Sequence, residues 1–447
     1  MRGAIAAGHP LTAEAGAAVL AAGGNAVDAL VAAALAAFVT EGPLTGPTGG
    51  GFLLVHMGGE TTMLDCFFAV PSIRLGEMEE VVIDFADAST QTFHIGEGSV
   101  AVPGLLHGLA QTARQFGSRP WADLVEPALE LARAGVEPTA EQAFLHEILV
   151  PILQRTEAGR AVYGDAARVD TSGFVPTLEA IRDRESAVAA ELLPELAADL
   201  AAYAPRELEP RRMRFRDVDV LTVPSPSKGG AIVTEILHLL DTAEPAGLVA
   251  TAAAIGRAYG GPVGPTRITG TTHISVVDAA RNAAALSSTL GSGSGVFRGG
   301  SQLNNMLGEL DVIGEVERAS GKRLPSMMTP TLVLDGDRPR LVVGSAGSVR
   351  LAGAIAQVAY HVVGRGLPVA EAIAAPRVHV ESGVAHVEGG WADDEVEELE
   401  RSGAWEVVRW GGRNLFFGGV SAVETMADGS LAAAGDPRRG GRGVVVA

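Results

Sequence analysis

A layered α+β fold is what this sequence predicts, on three observations. Helical and extended segments come in blocks, without the strict strand–helix alternation of a doubly wound parallel sheet. Near residue 270 the texture changes from apolar helical periods to short β-branched runs divided by turns. At 447 residues, 47% hydrophobic and 19% charged, the chain is too long for one small core and long enough for one large layered unit. No internal repeat and no Pro/Ser linker divides it.

The elements follow in order. "LTAEAGAAVLAAGGNAVDALVAAALAAFVTE" (11–41) reads as two helices: Gly23 and Gly24 stop the first, Asn25 caps the second, and Asp28 sits in its first turn. Its apolar stretch "ALVAAALAAFV" (29–39) is about half the roughly 20 residues needed to span a bilayer, so a buried helix is expected. "GPLTGPTGGGFLLVHM" (42–57) is a glycine turn entering a strand, and "RPWADLVEPALELARAG" (119–135) an amphipathic helix ending at Gly135. Residues 140–215 read as helical by period, with a polar break near 165–175 and an Arg/Glu-rich exit at "PRELEPRRMRFRD". "VLTVPSPSKGGAIVTEILHLL" (220–240) is a strand, a turn and a helix. From 271 come the strands "THISVVD", "AAALSST", "TPTLVLD" and "PRLVVGS", the helix "RLAGAIAQVAYHVVGRG" (350–366), and further strands to the end.

Charge and composition exclude several function classes. A net charge of −19 repels nucleic acid and anionic membranes, so neither is expected as a partner. The one cysteine, Cys66, rules out an internal disulfide and a multi-thiolate metal site, and reads as a buried inert thiol. Single histidines in "HPLTAEAG" and "PRVH" have no clustered partners, so no metal is expected. "TGPTGGGF" has no lysine in P-loop spacing and enters a strand, which argues against a nucleotide site. No cofactor is expected. The start "MRGAIAAGHP" lacks the apolar stretch of a secretory signal, and the expectation is a soluble cytoplasmic protein.

The chemistry gathers at "TTHISVV" (271–277). With "DAARN" (278–282) as the turn and "AAALSST" (283–289) as the return strand, paired residues sum to 560, and Thr271 faces Thr289. Directly paired side chains lie about 4.5–5.5 Å apart at Cβ, within reach of a hydroxyl–hydroxyl hydrogen bond. Threonines also suit strands by shape alone.

Nine segments in order along nearly the whole chain resemble the γ-glutamyltranspeptidase family of N-terminal-nucleophile hydrolases. They are "AAGHPLTAEAGAAVLAAGGNAVDALVAA" (6–33), "TGGGFLLV" (48–55), "GSVAVPGLLHGL" (98–109), "PSPSKGG" (224–230), "TTHISVVD" (271–278), "RLPSMMTPTLV" (323–333), "GSAGSVR" (344–350), "EAIAAPRVH" (371–379) and "GDPRRGG" (435–441). The resemblance implies a four-layer αββα sandwich made as a precursor that cuts itself between Gly270 and Thr271. Segments 1–270 and 271–447 would then form one αββα unit as a heterodimer of cleaved fragments. Thr271 matches the nucleophile, and its freed α-amino group, with a pKa of roughly 8, would be its base. Thr289 matches the threonine that holds the nucleophile's hydroxyl. Gly347 and Ser348 match a Gly-Gly pair whose N–H groups form the oxyanion hole; Ser348 keeps the needed N–H. His273 reads as a structural strand residue, since an N-terminal threonine brings its own base.

The substrate clamp departs from the family pattern. Phe67 stands where members carry the arginine that binds the glutamyl α-carboxylate. Gly291 replaces an asparagine, Met306 a polar ligand of the α-amino group, Glu309 an acidic one, and Ser326–Met327 a Ser-Ser pair. The short stretch between Met306 and Ser326 implies that the family's lid loop is missing. A γ-glutamyl head group would meet a phenyl ring where it needs a guanidinium. The implied function is therefore amide hydrolysis or acyl transfer on a small-molecule amide, with water or an amine as acceptor and altered acyl specificity. Two alternatives are an ordinary γ-glutamyltransferase or glutathione hydrolase, with Arg298 or Arg350 as a relocated anchor, and an uncleaved, non-catalytic binding protein.

Overall fold

The computed structural model describes residues 2–84, 90–165, 167–243, 246–260, 270–313 and 319–447. Two antiparallel sheets stack face to face between two helical layers, an αββα sandwich. The first sheet runs, from edge to edge, Arg442–Val446, Gly3–Ala7, Gly270–Asp278, Ala283–Gly291, Gly50–Met57, Glu60–Cys66 and Arg206–Leu208. The second runs Leu431–Gly435, Gly419–Thr425, Arg338–Ala346, Thr331–Asp335, Val218–Thr222 and Arg211–Phe215. Strands Arg338–Ala346 and Gly419–Thr425 lie against Gly270–Asp278.

Strand alternation assigns each side chain of Gly270–Asp278 to a layer. Ile274 and Val276 join the core beneath helices Pro10–Ala21, Ala26–Thr40 and Trp121–Ala134. Val277 joins the core between the sheets, which continues to helices Gly229–Thr242, Leu248–Tyr259 and Leu351–Ala359. Thr271, His273 and Ser275 share the inter-sheet face, and the Ser275 hydroxyl accordingly reaches Ser421 of the second sheet. Thr272 points the other way, to the end of Ala26–Thr40.

That helix is buried on every side, which its alanine-rich sequence permits, since small side chains allow close approach all round. Asn25 caps it: its side-chain oxygen accepts from the N–H groups of Val27 and Asp28, each at 2.9 Å, and the Asp28 carboxylate accepts from Asn25 N–H at 2.9 Å. Among the described residues no helix is long and apolar enough to cross a membrane.

Two expectations need correction, and one strand lies outside them. The region 140–215 is not helical to its end, because Arg206–Leu208 and Arg211–Phe215 are edge strands. Their charged residues face solvent, which masks the alternation a buried strand shows and blunts an exposed edge. The opening Gly3–Ala7, which sequence pattern left unassigned, is an interior strand of the first sheet. The hairpin register of 560 holds from Ala283–Val277 to Ser288–Thr272 and then shifts, so that Gly291 pairs with Gly270 and the direct Thr271–Thr289 pair is lost to a bulge.

Candidate active site

Thr271 stands at the end of the sandwich where the two sheets open. One cavity there, of about 310 Å³, is lined by Phe67, Thr271, Thr289, Gly291, Met306, Glu309, Ser326, Met327 and Ser348. Every candidate side chain except Gly270 and Gly347 therefore borders a single space, although these residues are spread over 282 positions, from 67 to 348. Gly270 and Gly347 are the chain neighbours of Thr271 and Ser348.

The bulge gives Thr289 a different partner from the expected one. With the Gly270–Thr271 bond intact, its hydroxyl donates to the Gly270 carbonyl and accepts from the Gly291 N–H at 2.8 Å. A proton donor thus sits on the carbonyl next to Thr271. Position 270 has room for glycine alone: a Cβ there would stand 2.5 Å from the Gly291 carbonyl oxygen and 2.9 Å from that of Pro43. Gly291 is held at φ +72°, and a Cβ there would lie 2.2 Å from Asn305 Oδ1. An asparagine does not fit at that position as the backbone stands.

Ser348 has a φ of 57°, in the left-handed region that a non-glycine residue enters at a cost. Gly347 before it has φ +131° and packs on Gly418, whose Cα would stand 2.8 Å from a Cβ. Among the described residues, neither backbone N–H of this pair has a hydrogen-bond partner. An oxyanion could take them.

The clamp positions have turned apolar or inward. Phe67 is buried and stacks on Phe52 with ring centroids 5.5 Å apart. Met306 and Met327 are buried beside it. The Glu309 carboxylate accepts from the N–H and hydroxyl of Ser292, at 2.8 and 2.7 Å. The Ser326 hydroxyl accepts from the Met328 N–H at 3.0 Å, while Ser227 and Lys228 of "PSPSKGG" hold this wall through its carbonyls. Among the described residues no arginine lines this cavity. Arg298 is engaged with Glu97 and Glu195, and Arg350 is buried over the Phe416 ring at 4.2 Å. Neither replaces the missing anchor in this space. The helix Leu310–Ile313 follows Glu309, and residues 314–318, on which part of the missing-lid expectation rests, lie outside the described residues.

His273 is fully enclosed, bridging the hydroxyls of Ser287 and Ser275 at 2.8 and 2.9 Å. Burial pulls its pKa down to about 3, so it is neutral at ordinary pH. The Cys66 thiol donates to the Gly51 carbonyl at 3.1 Å, and burial pushes its pKa up. His9 caps its helix by accepting from the Leu11 N–H. Among the described residues no group of three His, Cys, Asp or Glu is placed to hold a metal ion.

Several residues at the site were not singled out from sequence. Glu41 lies one side chain from the candidate nucleophile, accepting from the hydroxyls of Thr272 at 2.6 Å and Thr12 at 2.9 Å. Burial pushes its pKa up to about 7, against those two hydrogen bonds. Its signal was a lone acid closing an apolar helix. Asn304 and Asn305 brace the opposite wall. Asn304 bonds both backbone groups of Ala101, and Asn305 accepts from the N–H groups of Ser292 and Gly293.

Known proteins resemble this chain in sequence and in fold. The family model described as Gamma-glutamyltranspeptidase matches residues 12–177 and 249–446. The Acylase ACY 1 proenzyme of Pseudomonas sp. (strain SE83) is 26% identical across 100% of this chain and 94% of its own length. The Glutathione hydrolase proenzyme of Pseudomonas aeruginosa is 29% identical across 84% of this chain and 82% of its own. In fold, the crystal structure of cephalosporin acylase from Bacillus halodurans superposes with a TM-score of 0.81, covering 99% of this chain and 95% of that one at 21% identity.

Proposed function

The chain belongs to the γ-glutamyltranspeptidase family, and from that premise we propose that it is a self-processing amide hydrolase with Thr271 as nucleophile. The observation that carries this reading is the Thr289 hydroxyl bonded to the Gly270 carbonyl, in a cavity that Thr271 and Ser348 also line. In maturation the Thr271 hydroxyl adds to that carbonyl while Thr289 steadies the charge on its oxygen. The Gly270–Thr271 C–N bond breaks, leaving an ester on the Thr271 oxygen and a free α-amino group. Water hydrolyses the ester to a Gly270 carboxylate.

The same hydroxyl then attacks an incoming amide. The α-amino group of Thr271, with a pKa of roughly 8, takes its proton and passes it to the leaving amine. The N–H groups of Gly347 and Ser348 receive the oxyanion, a donor of this kind being worth about 2.7–4 kcal/mol in the transition state. Water or a second amine removes the acyl group. The acyl half is one that lacks a free γ-glutamyl head group. Phe67, Met306 and Met327 support this, as does the lack of an arginine at the cavity among the described residues. Similarity to an acylase along the whole chain points the same way.

Intact mass and N-terminal sequencing test the maturation. Wild-type protein is expected as two fragments, 1–270 and 271–447, and Thr271→Ala as one chain. Wild-type protein that stays whole after prolonged incubation at neutral pH points instead to a binding protein. On matured enzyme, kcat/KM for a γ-glutamyl anilide is compared with that for simple acyl anilides. A γ-glutamyl value of about 10⁴ M⁻¹s⁻¹ or above overturns the altered specificity.

A further inference from the structure

Thr271 borders a second cavity, on the side of the nucleophile away from Phe67. It measures about 560 Å³ and lies between Gln142 and Leu145 on one side and the segment around Gly419 and Arg439 on the other. An amide held at Thr271 has two halves that diverge from the reacting carbon. If the acyl half fills the Phe67 cavity, the amine half has this one.

Most charges lining this second cavity are already matched. Arg438 bonds Glu388 through Nε at 2.7 Å and Nη2 at 2.5 Å, and reaches Asp436 at 3.1 Å. Asp436 is further held by Arg377 at 2.6 Å. Glu41 accepts from two threonine hydroxyls. Arg439 is less closely matched: Asp436 acts on it by charge, with no hydrogen bond between them among the described residues. Its Nη2 donates to the Leu415 carbonyl at a long 3.4 Å, and its Nε is buried with no partner among the described residues. The same Nη2 lies 3.8 Å from where a Cβ on Gly347 would stand, which sets the guanidinium beside the oxyanion-hole glycine. Burial lowers its pKa to about 10, so it stays a cation at neutral pH. Glu141 also lines the cavity, its carboxylate 2.9 Å from where a Cβ on Gly440 would stand.

We propose that Arg439 receives a carboxylate carried on the amine half of the substrate, making apolar N-acyl amino acids the preferred class. The assignment rests on the hydrolase reading above. A guanidinium fork matches a carboxylate with two parallel N–H···O bonds. The Nε and Nη2 edge of Arg439 is the edge that lacks good partners. Acylation by such a substrate forms the ester bond to the Thr271 oxygen and breaks the amide C–N bond, the hydroxyl proton passing through the α-amino group to the leaving nitrogen; the amino acid, first held by its carboxylate at Arg439, then departs and water hydrolyses the ester.

The test uses matured enzyme and three probes: N-hexanoyl-alanine, its C-terminal carboxamide, and glutaryl anilide. Wild type is expected to favour the free acid over the carboxamide by roughly 10- to 100-fold in kcat/KM, the range for hydrogen bonds to a charged group. In Arg439→Met that ratio falls towards one, and in Arg439→Lys it is intermediate. Product inhibition of unmodified enzyme gives the same answer without a variant, alanine inhibiting more strongly than alaninamide. An equal ratio in wild type and Arg439→Met, or equal inhibition by the two products, overturns the assignment. So does an Arg439→Met variant that selectively loses glutaryl anilide, since the carboxylate would then sit on the acyl half. Turnover of the carboxamide without any acid preference sinks Arg439 alone. Failure of mature wild type on all three probes sinks the hydrolase reading and this assignment with it.

Discussion

Thr289 is the residue whose role the bulge decides. Because its hydroxyl donates to the Gly270 carbonyl, its removal is expected to act first on the proposed maturation. Thr289→Val is expected to slow self-cleavage on the order of 10²-fold, the cost of losing one donor from a developing oxyanion. Thr289→Ser keeps the donor and is expected to mature nearly as wild type does. Both should fold, since a hydrogen bond of this kind contributes about 0.5–1.5 kcal/mol to stability. Time-resolved denaturing gels with melting curves check this, and unaltered cleavage in Thr289→Val removes the residue from the site. His273 needs no such test for a base: at a pKa of about 3 its affinity for a proton is too low to draw one from a hydroxyl, and both ring nitrogens are engaged.

At the scale of elements, the helix Ala26–Thr40 carries both a legible and an illegible feature. Its cap was readable, because Asn25 and Asp28 act on backbone groups only a few residues away. Glu41 was not, because its partners Thr12 and Thr272 arrive from distant parts of the chain. The same division runs through the site. The hairpin centre and the pairs from 277–283 to 272–288 followed from local pattern, while the shift to 270–291 did not, and Asn305, which packs against Gly291 there, comes from further along the chain. The edge strands of 206–215 look polar on every side because they lie at sheet margins. Arg439 looks like half of a repeated arginine until its neighbour is found hydrogen-bonded to two carboxylates while its own hydrogen bond goes to a carbonyl. Glu41 also carries a pH prediction. Burial raises its pKa from 4.5 to about 7, so the folded protein binds this proton more tightly than the unfolded chain. Its contribution is fully present below pH 4.5 and is lost as pH rises through 7. The stability of Glu41→Gln relative to wild type should therefore climb between pH 4.5 and 7 and then level off, at a gain of at most about 3 kcal/mol. Denaturant melts across that range measure it, and a flat difference would show that the carboxyl ionises in the core without cost.

At the scale of the whole molecule, the strand beginning at Gly270 has neighbours on both sides in the first sheet. Gly3–Ala7 lies on one flank, and Gly50–Met57 lies beyond the hairpin partner on the other. In the second sheet Val218–Thr222 pairs with Thr331–Asp335. Residues before and after the proposed cut are thus interleaved in the first sheet and meet edge to edge in the second, and both cores draw on each set. If the chain is cut as proposed, the covalent bond would serve to bring these strands together and not to keep them there. An uncut chain folds as a first-order process, whereas a denatured cut protein must reunite two molecules through encounter. Refolding yield from denaturant should then rise with protein concentration for mature protein and not for Thr271→Ala, as recovered circular dichroism across a dilution series would reveal. Self-cleavage would act as a ratchet on the molecule's history: the chain assembles once, from a single thread, and thereafter persists through the slowness of its unfolding rather than through any capacity to remake itself.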